Sequence, residues 1–505
     1  MSARSRPQSG GVANVRRVTF EISFAARLAE LAAGRPDAAA ITAATGGPEE
    51  TITFGELHHR ATQVARHLAT LGVVGDDLVT IAEPNSIEFL VAAFACWLLG
   101  ATPQPVSSRL PERELEAIIE LAEPRVLVGH ERAGTPSLPV GWRPAADADA
   151  SPLPDAVATA WKAPTSGGST GRPKLIVSGD PSVWTDRLEA QATLLGAEPD
   201  ATMIMPGPLY HNGPFIWTCL TLLQGGHVVL LGRFDAAATM AAVERYRGTA
   251  MYLVPTMMQR IWKLPDDERA AFDVSTLRRV WHLAAPCPAW LKECWIGWLG
   301  PERVWELYGG TEGQASTTLS GVEWLAHHGS VGRSANGELR IEDGDGNVLP
   351  TGEVGEVWMR PINRDTPTYR YVGATSESRD GWECLGDIGW MDADGYLYLA
   401  DRRSDMILVG GANVYPAEVE AAIDEHPAVR SSAVIGLPDD DLGSRVHAIV
   451  QTVTPVDDDE LRAHLADRLV SYKVPRSFEF VDQPLRDDAG KVRRSALRAE
   501  RLPPT

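Results

Sequence analysis

The sequence predicts an α/β protein of more than one domain, and three observations carry that prediction. Segments that read as strands alternate with segments that read as amphipathic or buried helices. The chain has 505 residues, about three times a typical domain length, so a single core is not expected. Its 44% hydrophobic and 23% charged residues are ordinary globular values, which excludes disordered, collagen-like and coiled-coil proteins.

The start, MSARSRPQSGGVANVRR, has no apolar core of a signal peptide, so residues 1–18 read as a flexible tail. Thr53 and Glu56 form a capping box, and Leu57, Ala61, Val64, Leu68 and Leu71 follow at helical spacing before Gly72, which predicts an amphipathic helix. LVTIAEPN then reads as strand and loop, and Ile87 to Leu99, closed by Gly100, as a buried helix. The longest apolar run, Phe89 to Ala101, has about 13 residues, too few to cross ~30 Å of hydrocarbon. No membrane span is expected. Residues 130–158, rich in Pro, Ala, Asp and Gly, read as a surface linker.

Forty-seven Lys plus Arg stand against 67 Asp plus Glu, a net charge of −20. That balance argues against nucleic acid or an anionic membrane as partner, since both need a basic surface. An anionic ligand must be held by a few local cations. The five cysteines, Cys96, Cys219, Cys287, Cys294 and Cys384, form no CxxC and sit mostly among apolar residues, so buried free thiols and a cytoplasmic location are expected.

Thr165-Ser166-Gly167-Gly168-Ser169-Thr170-Gly171-Arg172-Pro173-Lys174 is a small-residue loop ending in a cation and running into Leu-Ile-Val. Small side chains let backbone N–H groups approach an anion, and the hydroxyls and Lys174 add donors and charge. Arg172 stands where a Walker A loop requires lysine, which disfavours a P-loop kinase. Gly167 to Gly171 also matches G-x-S-x-G, so a serine hydrolase using Ser169 is an alternative of another class. That elbow needs a strand before it and a helix after it, whereas AWKAPT precedes and Pro173 with a β-like run follows.

Further on come Tyr210-His211-Asn212-Gly213-Pro214, Ala284-Ala285-Pro286 and Trp305-Glu306-Leu307-Tyr308-Gly309-Gly310-Thr311-Glu312-Gly313. In the last, a ring can stack on a purine, and Thr plus Glu suit a phosphate and its Mg²⁺. Taken alone, it reads equally as a turn beside a core tyrosine, and His211 alone as a core histidine. Gly386-Asp387 leads to a hairpin whose turn is Asp392-Ala393-Asp394-Gly395, then to Asp401-Arg402-Arg403-Ser404-Asp405, polar punctuation that suits a domain junction. Met406 to Val409 reads as a strand into Gly410-Gly411, and Pro416 opens a helix carrying Val419 and Ile423. Lys491 follows a glycine turn near the C-terminus.

The ordered series resembles the adenylate-forming superfamily of acyl-CoA ligases, peptide-synthetase adenylation domains and luciferases, over roughly residues 20 to 500. The full-length C-terminal part looks most like a stand-alone acyl-CoA ligase, and the double glycine of the STGRPK loop is similar to ligases of bulky alicyclic and bile-acid-like acids. The resemblance implies a large N-terminal domain over 19–401, of doubly wound sheets plus a small β-barrel, and a small mobile α+β domain over 402–505. The hinge would lie near 401–405, at Asp405. It also implies ATP, Mg²⁺ and coenzyme A as partners of a small carboxylic acid, with a homodimer allowed. The reaction would form acyl-AMP and then acyl-CoA; a ligase working mainly from a supplied acyl-adenylate is the nearer alternative.

By position, Ser166, Gly167, Gly168, Ser169, Thr170, Gly171 and Lys174 would hold phosphates and Glu312 the Mg²⁺, with Thr311 beside it. Ala285, Pro286, Tyr308 and Gly309 would frame adenine, Asp387 would accept the ribose hydroxyls, and Arg402 would support it. Lys491 would bridge carboxylate and α-phosphate, with Thr170, Glu312 and His211 as the other catalytic groups. Gly410 and Gly411 would line the CoA tunnel. His211, Asn212, Gly213, Phe215 and Trp217 would form one side of the acyl pocket, and Tyr252, Met257, Leu307, Gly309 and Gln314 the other. The sequence departs from the family at Gly167, where a hydroxyl residue is usual, at Ala284-Ala285-Pro286, where a second glycine is usual, and at Asp401, which replaces a frequent glycine.

Overall fold

Parallel strands cannot be joined by tight turns, so the helices between them become crossovers and the sheet is covered on both faces. The computed structural model describes residues 21–167, 173–362, 364, 366–439, 442–487 and 490–502, and the expected tail 1–18 lies outside them. The main sheet runs in the order Arg333–Ser334, Ser316–Ser320, Val304–Gly309, Arg279–His282, Ala250–Leu253, Thr202–Met205, His227–Leu231, Ala39–Ala44 and Glu50–Thr53. Its six inner strands pair in parallel and the outer pairings are antiparallel. A second parallel sheet has the order Thr102–Pro105, Leu78–Ile81, Val126–Val128 and Ser137–Leu138.

The locally encoded elements form as the sequence predicts. Helix Phe54–Thr70 begins with the Thr53/Glu56 capping box, both reciprocal bonds being present. Helix Ile87–Leu98 is buried at all but one position, which explains its lack of a polar face. Its own Phe94 and Trp97 cluster with Phe24 and Trp161 edge-on and tilted, neighbouring centroids 5.0–6.3 Å apart. None of the five cysteines is paired. No helix among the described residues is long and apolar enough to cross a membrane.

The antiparallel part is a five-stranded sheet of Gly337–Glu342, Gly355–Pro361, Trp382–Met391, Glu377–Arg379 and Leu397–Arg402, over a core that includes Ile341, Val357 and Leu397. The chain leaves that sheet after Arg402 and enters a separate core starting at Ile407. There Val429–Asp439, Gly443–Thr452 and Ser477–Val481 form a three-stranded sheet backed by helices Pro416–Asp424 and Asp458–Ala466.

One buried ion pair lies inside the main layer. Lys292, 1% exposed, donates to Glu306 Oε2 at 2.5 Å, and His282 Nδ1 stands 3.9 Å from Glu306 Oε1. Burial and the Lys292 charge push the His282 pKa far down, so the imidazole is neutral and Lys292 alone balances the carboxylate. Lys292→Met should therefore cost about 3–5 kcal/mol in urea unfolding, by leaving a buried charge unpaired, and adding Glu306→Leu should recover much of it. A silent single variant would show that Glu306 needs no counter-charge.

Candidate active site

In open α/β sheets ligands collect at the carboxyl ends of the strands. Gly207, Val254, Leu283 and Gly309, which end or follow four neighbouring parallel strands, line a cleft of about 2410 Å³. The cleft extends to the C-terminal part, where Asp405 from its start and Lys491 from near its end border it.

One end of the cleft is built on two short strands. Thr165–Gly167 pairs antiparallel with Pro173–Ser178, Ser166 opposite Lys174. Gly168, Ser169, Thr170 and Gly171 lie outside the described residues, as do the side chains of Ser166 and Gly167. A strand follows the loop, where a hydrolase elbow requires a helix. Lys174 Nζ donates to the Tyr371 hydroxyl at 2.8 Å and stands 3.4 Å from Glu312 Oε1 and 4.0 Å above the Tyr371 ring. Tyr371 in turn donates to Glu312 Oε1 at 2.6 Å. Burial and the Glu312 carboxylate push the Tyr371 phenol upward, so it stays a neutral donor.

Glu312, 7% exposed, lies in the turn after strand Val304–Gly309, which the Gly313 N–H to Gly310 carbonyl bond closes. A Cβ on Gly310 would lie 2.4 Å from Leu385 Cδ1 and 2.8 Å from Glu312 Oε2, so glycine is what lets the carboxylate fold back. Its hard oxygens suit Mg²⁺. Among the described residues Glu312 belongs to no group of three or more carboxylates, histidines or cysteines close enough to share an ion. That donor set fits an ion whose remaining ligands are phosphate oxygens and water.

At the other end, Tyr308 donates to Asp387 Oδ2 at 2.7 Å, and Arg402 Nε stands 3.4 Å from Asp387 Oδ1, directly across an antiparallel pair. Burial and the Asp387 charge push the Tyr308 phenol upward. Ala285, Pro286, Gly309 and Thr311 border the cleft beside them. Lys491 enters from the C-terminal part. Its side chain is exposed, yet the surrounding protein and nearby Arg402 push its ammonium pKa down, against the pull of Asp487 and Glu312. Asp405 lies between the two cores and accepts from Arg494 Nη1 at 2.8 Å.

The wall opposite carries His211, Asn212, Gly213 and Trp217, with Tyr252, Met257 and Leu307. His211 precedes helix Asn212–Gln224, its ring 4.3 Å from Tyr210. A Cβ on Gly213 would meet the Tyr252 hydroxyl at 2.4 Å, so glycine is what leaves room for the Tyr252 ring on this wall. Two expected wall residues are corrected. Phe215 points from the other helix face into the core, against Phe89, Trp97 and Trp161. Gln314 is buried and donates to Glu383 at 2.6 Å. Gly410 and Gly411 do not border the cleft either: they turn the hairpin Ile407–Val409 to Ala412–Val414, at φ +56 and +88.

Sequence reasoning missed Tyr371 and Lys162. Tyr371 reaches Glu312 because Tyr369–Val372 pairs with the strand carrying Lys174, a register no motif announces. Lys162, 6% exposed on the cleft wall, lies 5.1 Å from the Trp161 ring, and burial pushes its ammonium down to about 8. The departure at Ala284 has a conformational cost, since its φ is +73, a left-handed value that disfavours any Cβ. Ala284→Gly should raise stability by up to about 1 kcal/mol in thermal unfolding, whereas Ala285→Gly, at ordinary φ, should lower it. Destabilisation by both would show that Ala284 is not strained.

The pattern of the AMP-binding enzyme family matches residues 28–363, and that of the AMP-binding enzyme C-terminal domain matches residues 418–491. A feruloyl-CoA synthase of Amycolatopsis sp. is 34% identical over 465 residues, covering 88% of this chain and 93% of the relative. A 3-[(3aS,4S,7aS)-7a-methyl-1,5-dioxo-octahydro-1H-inden-4-yl]propanoyl:CoA ligase of Rhodococcus jostii is 30% identical over 511 residues, covering 91% and 96%. The o-succinylbenzoate coenzyme A synthetase of Bacillus subtilis, solved in complex with ATP and magnesium ion, superposes with a TM-score of 0.76 at 26% identity over 95% of this chain and 100% of that one. The chain therefore belongs to the AMP-binding enzyme family and is an adenylate-forming enzyme of the acid–CoA ligase kind.

Proposed function

We propose that the protein couples a bulky alicyclic or polycyclic carboxylic acid to coenzyme A in two steps, using ATP. The observation that carries this reading is the convergence of Lys174, Glu312, Asp387, Arg402 and Lys491 on one cleft. In the first step a carboxylate oxygen attacks the α-phosphorus, the bond to the bridging oxygen breaks, and pyrophosphate leaves. Acid and nucleotide repel, so cations must stand where charge develops. Lys491 donates between carboxylate and α-phosphate, Lys174 and the loop hold the departing phosphates, and Asp387 takes the ribose hydroxyls. Glu312 would hold Mg²⁺, which supplies charge neutralisation for the phosphates.

In the second step the CoA sulfur attacks the acyl carbon, the carbon–oxygen bond to AMP breaks, and the thiol proton passes to solvent. The small domain turns near Asp405 for this step, bringing the side-chain-free tip at Gly410 and Gly411 to the pantetheine passage. Trp217, Tyr252, Met257 and Leu307 give the acyl wall its apolar breadth. Two relatives are named for ring-bearing acyl groups, which supports a ring acid here. Five unpaired cysteines suit the reducing cytoplasm.

A screen of aryl, fatty and polycyclic acids, with AMP, pyrophosphate and thioester measured separately, tests the reading. Polycyclic acids should give all three products. Thioester from supplied acyl-adenylate alone would select the one-half alternative, and no product with any acid would end the proposal. Lys491→Ala should lower acid-dependent ATP–pyrophosphate exchange by about 10²- to 10³-fold while sparing thioester formation from supplied adenylate. Equal loss of both would refute that division. The lowered Lys491 pKa also sets a pH limit: adenylation needs the ammonium, so its rate should fall below the ordinary lysine range as pH rises, and Lys491→Arg should move that limb upward. A limb that does not move excludes Lys491 as its origin.

A further inference from the structure

We propose that Lys263 is a positioning residue for the adenylation half, latching the C-terminal domain in the orientation that sets Lys491 in the cleft. This rests on the ligase reading above. Lys263 follows helix Pro255–Trp262, a short helix of the large domain opened by a proline. The end of that helix is fixed from outside, with the Arg269 guanidinium 4.0 Å over the Trp262 ring and its Nη1 donating to the Leu264 carbonyl at 3.2 Å. The Lys263 stem is therefore anchored before its ammonium makes any bond.

That ammonium reaches across to the other domain. Lys263 Nζ donates to the Asp424 carbonyl at 3.2 Å and also to the Val429 carbonyl, and Gln259 Nε2 donates to the same Asp424 carbonyl at 3.1 Å. Asp424 ends helix Pro416–Asp424 and Val429 begins the first strand of the small sheet. Carbonyls at a helix C-terminus lack intrahelical partners and carry the negative end of its dipole, so a cation there is favoured. Burial pushes the Lys263 ammonium pKa down, and the buried Asp424 carboxylate opposes that by attraction.

The same segment meets the C-terminal domain at its other end. A Cβ on Gly490 would lie 2.9 Å from Thr256 Oγ1 and 3.3 Å from Val254 Cγ2, so the turn carrying Lys491 is seated on the helix start. One rigid helix thus holds the small domain by its helix end and by its lysine turn. Turning the domain must break both contacts, so the latch favours the first half-reaction alone. Met257, on that helix, also lines the acyl wall, which places the dock and the acid against one element.

The test uses the full chain. Lys263→Met should speed backbone hydrogen exchange at the Lys491 turn without substrates. It should lower acid-dependent ATP–pyrophosphate exchange by about 10- to 100-fold, leave thioester formation from supplied adenylate unchanged or faster, and be rescued by Lys263→Arg. Unchanged hydrogen exchange overturns the latch, and so does equal loss of both halves with a lowered Tm, which would make Lys263 merely structural. Wild-type protein without acid-dependent pyrophosphate exchange would instead defeat the ligase reading and the positioning role with it, a result separate from the hydrogen-exchange readout.

Discussion

The dominant constraint is electrostatic. A carboxylate and a polyphosphate repel, and this chain carries a net charge of −20, so the field of the whole molecule opposes both. The cleft sets a few cations against that field, and two of them are held in place by fixed acceptors. Lys174 leans on Tyr371 and Glu312, and Arg402 on Asp387. Such pairs keep the side chains oriented before any ligand arrives, which is the preorganisation that the proposed reaction needs.

The architecture serves that constraint by bringing distant segments to one edge. The parallel strands deliver Gly207, Val254, Leu283 and Gly309 to their carboxyl ends, while the antiparallel sheet supplies Asp387 and Arg402 from facing strands. Lys491 comes from a separately cored domain, so its presence in the cleft depends on docking and not on the local fold. The Pro255–Trp262 helix lies between these demands, lining the cleft and touching the small domain at both ends.

What the sequence revealed follows from the range of each interaction. The Thr53/Glu56 box, the Asp392–Gly395 hairpin and the proline-led helix at Pro416 are written within a few residues and were legible. The cleft cations were legible through an ordered series of motifs. Phe215 was not separable by helical period, since Pro214, as far from the centre of the cleft face, does line the cleft; the rings of Phe89, Trp97 and Trp161 turn Phe215 into the core. Gln314 follows a turn whose exit direction no local pattern sets. Tyr371 depends on strand register, and the meaning of Gly213 and Ala284 on a distant tyrosine and on a backbone angle, none of which composition or spacing carries.

The central claim is that one cleft activates the acid as its adenylate before the thiol reacts. Mixing a high concentration of protein with excess ATP, Mg²⁺ and a polycyclic acid, then adding CoA after a delay, tests it most directly. The account predicts about one equivalent of pyrophosphate per chain before CoA, with AMP and thioester released together only afterwards. Release of inorganic phosphate in place of pyrophosphate, or pyrophosphate formed without any acid, would contradict it.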